Sequence, residues 1–311
     1  MTDNNRNKGY SICIPIYNQN VERLVRELHR QASLLNVPFE FLLMDDCSQL
    51  HEAENSALQQ LPSVRYVHLS HNVGRSAIRN KLAENALYET LIIMDCDALP
   101  INDHFIENYL KEEENDVVIG GCQYPDTPPM QTENLLRWGY GKKREERSAA
   151  LRNQNPHCSF TPFNLLIKKQ TLLAIRFDES LKGYGHEDTL LGWHLKKAGI
   201  PVKHIDNPLI HNHQDKSEIF LAKTKEGIFN LWQVYEKMAD EKEAFANEVK
   251  SLKCFVKLQK WGLAPLVRII LSLIERGITK NLLSQHPIIR LLDLYKLLCL
   301  CNASKGIRGH Q

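Results

Sequence analysis

Between Ser11 and Ile119 the chain repeats one unit: a short, almost purely apolar run, a polar knot, then a stretch with helical periodicity. Ser11–Ile16, Phe39–Met44, Val64–Leu69, Thr90–Met94 and Val117–Ile119 are the apolar runs. Between them, Val21, Leu24, Val25, Leu28, Ala32 and Leu35 recur at helical spacing, and residues 75–88 and Asn102–Glu114 read as further helices. Strands apolar on both faces and separated by helices predict a mostly parallel sheet covered on both sides. In such sheets ligands lie beyond the carboxyl ends of the strands. Those ends are where this chain keeps its chemically able side chains.

At the first strand's end stand Pro15 and Tyr17, and after the second comes Asp45-Asp46-Cys47-Ser48. A carboxylate there can accept hydrogen bonds from a base or ribose, or serve as an N-cap for the following helix. Asn72-Val73-Gly74-Arg75 and Arg79-Asn80 follow the third strand and offer a tight turn, a helix start and two cations for a diphosphate, or an ordinary strand-to-helix loop. Asp95-Cys96-Asp97 follows the fourth, two hard oxygen donors suited to Mg²⁺ or Mn²⁺ on phosphate oxygens. Later, Gly183-Tyr184-Gly185-His186-Glu187-Asp188 opens a helix-like run to Gly199. Its glycines permit close approach to a ligand, and an acid there can deprotonate a hydroxyl. His211-Asn212-His213 puts two imidazoles on one side of a strand.

SICIPIYNQ, LLMDDCS, HNVGRSAIRN, IIMDCD and FDESLKGYGHEDTLLGWHLKKAG, in this order, resemble family 2 glycosyltransferases of the GT-A fold. The last segment also resembles a galactosyltransferase-type motif. The resemblance covers residues 10 to about 213 and implies an α/β GT-A domain over 1–214, with a nucleotide-sugar part at 1–121 and an acceptor and catalytic-base part at 122–214. A helical, basic extension at 215–311 completes the expected organisation.

Carried over position by position, the resemblance implies that Pro15, Tyr17, Asp46, Arg79, Asp95 and Gly185 bind the nucleotide sugar. It implies that Asp97 and Asp95, with His213 or His211, hold Mn²⁺ or Mg²⁺, and that Glu187-Asp188 is the ED pair with Asp188 as base. Ala98 stands where many relatives carry a third acid. The expected reaction is inverting transfer of a hexose or N-acetylhexosamine from a UDP-sugar to a glycan or lipid-linked acceptor in bacterial surface polysaccharide synthesis, with a lean to UDP-galactose or UDP-N-acetylgalactosamine. A dehydrogenase would need GxGxxG after the first strand, where this chain has PIYNQN. A non-catalytic carbohydrate-binding or scaffold protein on the same fold is the remaining alternative, against which both acidic motifs are intact.

Charge divides the chain further. The total is +2, yet from Lys250 onward eleven Lys or Arg face two acids, a net of +9, leaving −7 on the first 249 residues. No run of about 18 apolar residues occurs, so no membrane-spanning helix is expected. The polar start MTDNNRNKGY lacks the apolar core of a secretory signal, and eight cysteines without a CxxC pair suit a reducing compartment. The expected location is therefore cytoplasmic, peripheral on the inner face of the membrane. Leu263–Ile274 and Ile288–Cys301 are too short and interrupted to span a bilayer. In the second, Arg290, Asp293 and Lys296 leave a broad apolar remainder suited to lying on anionic lipid. Packing on the catalytic domain or in a homodimer is the other use of these helices. Nucleic-acid binding is not expected, because aromatics do not alternate with the charges. The charged segment 141–155 (GKKREERSAALRNQN) reads as a mobile lid, an acceptor loop or a solvated insertion, and Trp138 and Tyr140 as aromatics for an acceptor sugar or for packing.

Overall fold

The computed structural model describes residues 9–211 and 215–306. Among them are ten strands: β1 (Tyr10–Ile16), β2 (Phe39–Asp45), β3 (Val64–His68), β4 (Thr90–Met94), β5 (Ala98–Pro100), β6 (Val117–Ile119), β7 (Cys122–Gln123), β8 (Asn164–Lys168), β9 (Lys203–His204) and β10 (Leu209–His211). Seven form one sheet in the order β3-β2-β1-β4-β8-β6-β9. All its strands run parallel except β8, which is antiparallel to both neighbours. A small second sheet has the order β5-β10-β7. This is the mostly parallel GT-A architecture.

The apolar runs are explained by burial on two faces. Ile12, Ile14, Ile16, Phe41 and Leu43 pack on one side against Leu24, Val25, Leu28 and Ala32 of the helix Glu22–Ser33 and Phe105, Ile106 and Tyr109 of Phe105–Leu110. Their neighbours Cys13, Leu42, Met44, Ile93, Leu165 and Ile167 pack on the other, against the helices Arg75–Asn85, Lys169–Ile175 and Glu187–Lys197. Each fully buried Ile or Leu contributes about 1.5–3 kcal/mol, so a polar residue on either face would be costly. The polar side chains buried within strands are accordingly paired, as Ser11 Oγ donates to Glu40 Oε1 (2.7 Å).

Two compact units result. The first takes in the described residues up to Pro125, then Glu145–Leu181, then Glu187 to His211; the second comprises Asp126–Arg144, Lys182–His186 and the described residues from Asp215 onward. In the first unit, β8 is tied to its surroundings by a buried polar cluster. The Tyr109 hydroxyl donates to Asn164 Oδ1 (2.5 Å), and Asn164 Nδ2 donates to the carbonyls of Gly121 and Asn207 (2.8 Å each). Gly120 is obligatory there, since a Cβ would lie 2.5 Å from both Asn164 Nδ2 and the Asn207 carbonyl oxygen.

The charged segment expected to be mobile is instead anchored. Arg152 is buried, and its guanidinium donates to the carbonyls of Ile119 (3.1 Å), Gly120 (3.2 Å) and Ile205 (2.7 Å). A side chain with five donors can close several strand-end carbonyls at once, which a solvated loop residue would not. Within the second unit, Arg144 bridges Asp293 at 2.6 Å, and Tyr140 packs on Phe220 while Lys296 lies 4.6 Å above its ring. Tyr140 therefore serves packing, the second of its two expected uses.

The helix Ile289–Ala303 decides between two expectations. Lying on lipid is one of its two expected uses and packing the other, and Ile289, Leu292, Leu298, Cys299, Leu300 and Cys301 are buried, with the helix packed on Ser217–Lys237 and Ala264–Leu282. Of its three charged residues, Arg290 and Asp293 are exposed and Lys296 is half-buried, and Asp293 and Lys296 pair within the unit, with Arg144 and the Tyr140 hydroxyl. All eight cysteines are free thiols.

Replacing Asn164 with Ala leaves the Tyr109 hydroxyl proton and the Asn207 carbonyl without a partner and takes one of the two bonds that the Gly121 carbonyl accepts, the other coming from Leu209 N–H. Unpartnered buried groups cost about 1–3 kcal/mol each, so Asn164→Ala is expected to lower stability by about 3 kcal/mol or more in urea unfolding. A loss within experimental error would show that the cluster is incidental.

Candidate active site

The sheet opens where the site begins. β1 pairs with β2 along its whole length, but with β4 only from Tyr10 to Cys13. The Ile16 carbonyl accepts from the Asp46 N–H (2.8 Å), so Ile16 faces β2, and Pro15, one residue earlier, faces the β4 side. Pro15 has no N–H to offer and sits where β4 no longer asks for one, which is how a central strand tolerates it. The strand order also reverses here, so this is the crevice expected to hold a ligand. Tyr17 emerges from it 54% exposed. The half-buried Cys96 thiol, pushed up to about 12 by desolvation and then by Asp97 and Asp95, meets the Tyr17 backbone across the gap.

Asp46 holds one wall of this opening. Its carboxylate accepts from the backbone N–H groups of Val73 (2.6 Å) and Gly74 (3.0 Å). Gly74, at φ +86, turns the chain into the helix Arg75–Asn85. Each Asp46 oxygen thus has one backbone partner and one further lone-pair direction. It is not an N-cap for the short helix that follows β2. Asp45, fully buried behind it, accepts from Ser48 N–H (2.7 Å) and the Tyr66 hydroxyl (2.8 Å).

Arg79 joins the two acidic motifs. It is 3% exposed, and its guanidinium donates to Asp95 Oδ1 at 2.7 Å and to Glu187 Oε1 at 3.4 Å. The Phe177 ring lies 5.6 Å from the guanidinium carbon. Burial pushes the Asp95 carboxyl up, but Arg79 and Arg75 outweigh it and hold Asp95 below the usual carboxylate range. A fixed planar cation between two carboxylates is the arrangement for which Arg, not Lys, is suited.

Beyond Asp97 the chain enters β5, whose Ala98 pairs with His211 of β10. This register brings His211 Nε2 to 3.6 Å from Asp97 Oδ2. The imidazole is stacked between Tyr124 (5.4 Å, 13°) and Phe163 (5.3 Å, 4°). The Phe163 carbonyl also accepts from Asp95 N–H (3.2 Å). Asp97 and His211 are thus the oxygen and nitrogen donors that approach one another. Among the described residues no group of three or more His, Cys, Asp and Glu converges in metal-ligating geometry. His213, the other imidazole expected at the metal, lies outside the described residues.

Asp188 sits beside Glu187 at the start of the helix Glu187–Lys197. It accepts from the Thr189 N–H (2.6 Å) and hydroxyl (3.3 Å). Burial, then the charge of Glu187, raises its carboxyl to about 6, despite the opposing hydrogen bonds and Arg79. An acid so poised accepts a proton near neutral pH. Gly185 belongs to the second unit, where it lies against Gly227 and where Asn230 donates to the carbonyls of Lys182 (3.0 Å) and Tyr184 (3.1 Å).

The structure therefore brings Arg79, Asp95 and Glu187 together, with Asp188 next in the chain, and pairs Asp97 with His211. Asp46 stands at the end of β2, with β1 between it and β4. Tyr124, Phe163 and Phe177 went unnoticed in the sequence. Nothing local marks an aromatic that will stack on a side chain dozens of residues away.

The model of glycosyl transferase family 2 matches residues 11–169. Chondroitin synthase of Pasteurella multocida (strain Pm70) is 27% identical over 250 residues, which are 68% of this chain and 25% of that protein. Hyaluronan synthase of Pasteurella multocida is 26% identical over 242 residues, 67% of this chain and 24% of that protein. The chain thus spans about a quarter of the length of these two relatives. Among solved structures, a mannosyltransferase from Pyrobaculum calidifontis in complex with GDP-Man and Mn²⁺ superposes with a TM-score of 0.57 at 14% identity, covering 98% of this chain and 88% of that one. Staphylococcus aureus TarS gives 0.53 at 15% identity, covering 97% and 56%. The structural likenesses are of fold; the sequence match, spanning half of the chain with all of β1 to β4 except Tyr10 and the acids beyond them, is of family. The chain belongs to glycosyl transferase family 2.

Proposed function

We propose that this chain is an inverting glycosyltransferase that moves a hexose or N-acetylhexosamine from a UDP-sugar to a hydroxyl of a glycan or lipid-linked acceptor in building a bacterial surface polysaccharide. One observation carries the reading: Arg79 bonds both Asp95 and Glu187, so the acids after β4 and the acids opening Glu187–Lys197 form one site. The two Pasteurella relatives are named as synthases of chondroitin and hyaluronan, which supports a polysaccharide product. GYGHED supports UDP-galactose or UDP-N-acetylgalactosamine as donor.

In this reading the opening between β1 and β4 takes the nucleotide, with Pro15 and Tyr17 along it and Asp46 holding the Val73-Gly74 turn at its side. Asp188 takes the acceptor hydroxyl's proton. The freed oxygen forms its bond to the anomeric carbon as the bond from that carbon to the diphosphate breaks, and UDP leaves with the electron pair. Attack opposite the leaving group inverts the configuration. Arg79 keeps Asp95 ionised and Glu187 in place, so the charges are arranged before substrate arrives.

Asp97 and His211 fit a divalent ion, since a carboxylate and an imidazole both suit Mn²⁺, and such ions use one or two carboxylates plus substrate phosphates. Asp95 would offer the oxygen that Arg79 leaves free. When bound, the ion would supply Lewis-acid charge against the negative charge growing on the diphosphate. The Pyrobaculum structure of the same fold holds Mn²⁺ with its nucleotide sugar, which supports this assignment.

Asp188→Asn is expected to abolish transfer to acceptor while leaving UDP affinity within about twofold in calorimetry; an active Asn variant would remove Asp188 as base. Because the base works ionised and its carboxyl is raised to about 6, kcat should be level at neutral pH and fall as pH drops through 6. An acid limb that begins only near 4 would contradict the burial of that carboxyl. Activity should vanish in EDTA and return with Mn²⁺ or Mg²⁺, whereas undiminished turnover in chelator would exclude the metal.

A further inference from the structure

The second unit contains a helix that faces the wrong way for a soluble bundle. In Ala264–Leu282 the buried residues are Leu271, Ile278 and Leu282, which pack on the helix Ile289–Ala303 and its neighbours. Leu266, Ile269, Ile270, Leu273 and Ile274 are exposed, Leu273 by 81%. At about 100° per residue these five share one outward arc of roughly 140°. Trp261, 69% exposed, and Leu263 extend the patch onto the turn before the helix. A run of aliphatic side chains on one exposed face is the kind of surface that marks an interaction site rather than scattered exposure.

Charge identifies the occupant. Arg276 and Lys280 continue the same outward face, and the helix's one acid, Glu275, falls on the opposite side from Leu266. Just before the turn, Lys250, Lys253, Lys257 and Lys260 lie at helical spacing on the exposed side of Lys250–Lys260, whose buried residues are Leu252 and Phe255. Lys260 bonds Glu243 at 2.8 Å, and among the described residues no acid pairs with the other three. A second copy of this chain is a poor fit, because the outward face of Ala264–Leu282 carries the cations Arg276 and Lys280 and no acid to pair with them across a self-contact. Among the described residues no helix is long and apolar enough to cross a membrane. Apolar side chains, flanking cations and a Trp at the edge are instead the pattern of a helix lying in a bilayer interface.

We propose that the outward face of Ala264–Leu282, with Trp261 and the lysines of Lys250–Lys260, docks on an anionic lipid surface. Leu266, Ile270 and Leu273 would enter the acyl boundary, and Lys253, Lys257, Arg276 and Lys280 would meet lipid phosphates. The inference rests on this unit alone and stands whether or not the glycosyl-transfer reading holds. It moves the lipid contact from the helix Ile289–Ala303, which is packed inside the unit, to its neighbour.

Flotation of the full chain with vesicles tests it. The protein should float with phosphatidylcholine vesicles containing phosphatidylglycerol, bind pure phosphatidylcholine far more weakly, and be released by salt. Leu266→Glu/Ile270→Glu/Leu273→Glu should abolish flotation without lowering the melting temperature, since all three side chains are exposed. Lys253→Gln/Lys257→Gln should weaken partitioning by about 30-fold, as two basic contacts at a membrane surface would. Leu87→Glu, at an exposed site in the other unit, should change nothing. Absence of flotation, or flotation unaffected by the triple substitution, overturns the proposal. So does a dimer in light scattering that the triple substitution dissolves, which would assign the face to a second copy.

Discussion

A buried guanidinium organises the candidate site. Arg79 is enclosed among apolar and acidic groups, and its charge is tolerable there only because Asp95 and Glu187 accept from it. Removing either acid would leave a buried charge short of a partner, and breaking such a pair costs about 3–5 kcal/mol. The dependence is mutual. Asp95 stays ionised in a partly buried setting because Arg79 and Arg75 outweigh the desolvation. The ends of a strand and a helix separated by about ninety residues are thereby held in one arrangement.

That arrangement is available because the sheet lets go at the right place. β4 stops pairing with β1 after Cys13, and Pro15 occupies the position where a ladder donor is no longer needed. The polar loops that follow are then fastened to one another. Asp46 grips the Val73-Gly74 turn, and Asn18 N–H donates to Ser48 Oγ (2.8 Å) while its own side-chain oxygen accepts from Gln49 N–H (2.7 Å). The small sheet β5-β10-β7 does the same for Asp97, since the pairing of Ala98 with His211 brings the His211 imidazole to it. Ala98 in place of an acid is thus buried in a strand pair.

The second unit has a different logic. Its interior is made by Leu136, Phe220, Leu221, Ile278, Leu282, Ile289 and Leu292. Polar groups of the helix Ile289–Ala303 are paid for locally, Asp293 by Arg144 and Lys296 by the Tyr140 ring and hydroxyl. Arg137 likewise lies 5.2 Å from the Phe220 ring centre. Aliphatic side chains that find no place in this interior are gathered on the outward side of Ala264–Leu282 rather than scattered.

The amino-acid sequence by itself determined the strands, because a run such as Leu91–Met94 has no polar position and must be buried on both sides. It also marked Asp46, Arg79, Asp95, Asp97 and Glu187-Asp188, since polar residues in such a sheet are tolerated without a buried partner only at strand ends. It could not rank the two tail segments. Each carries apolar residues with interspersed cations, and composition does not say which face of a helix another helix will cover. Nor did it show that Arg79 would take both Asp95 and Glu187, or that Tyr124 and Phe163 would enclose His211. Local propensity is a property of neighbours in the chain, and these contacts join residues dozens of positions apart. Only the tertiary structure decided them, because register between strands and the packing of helices choose which side chains meet.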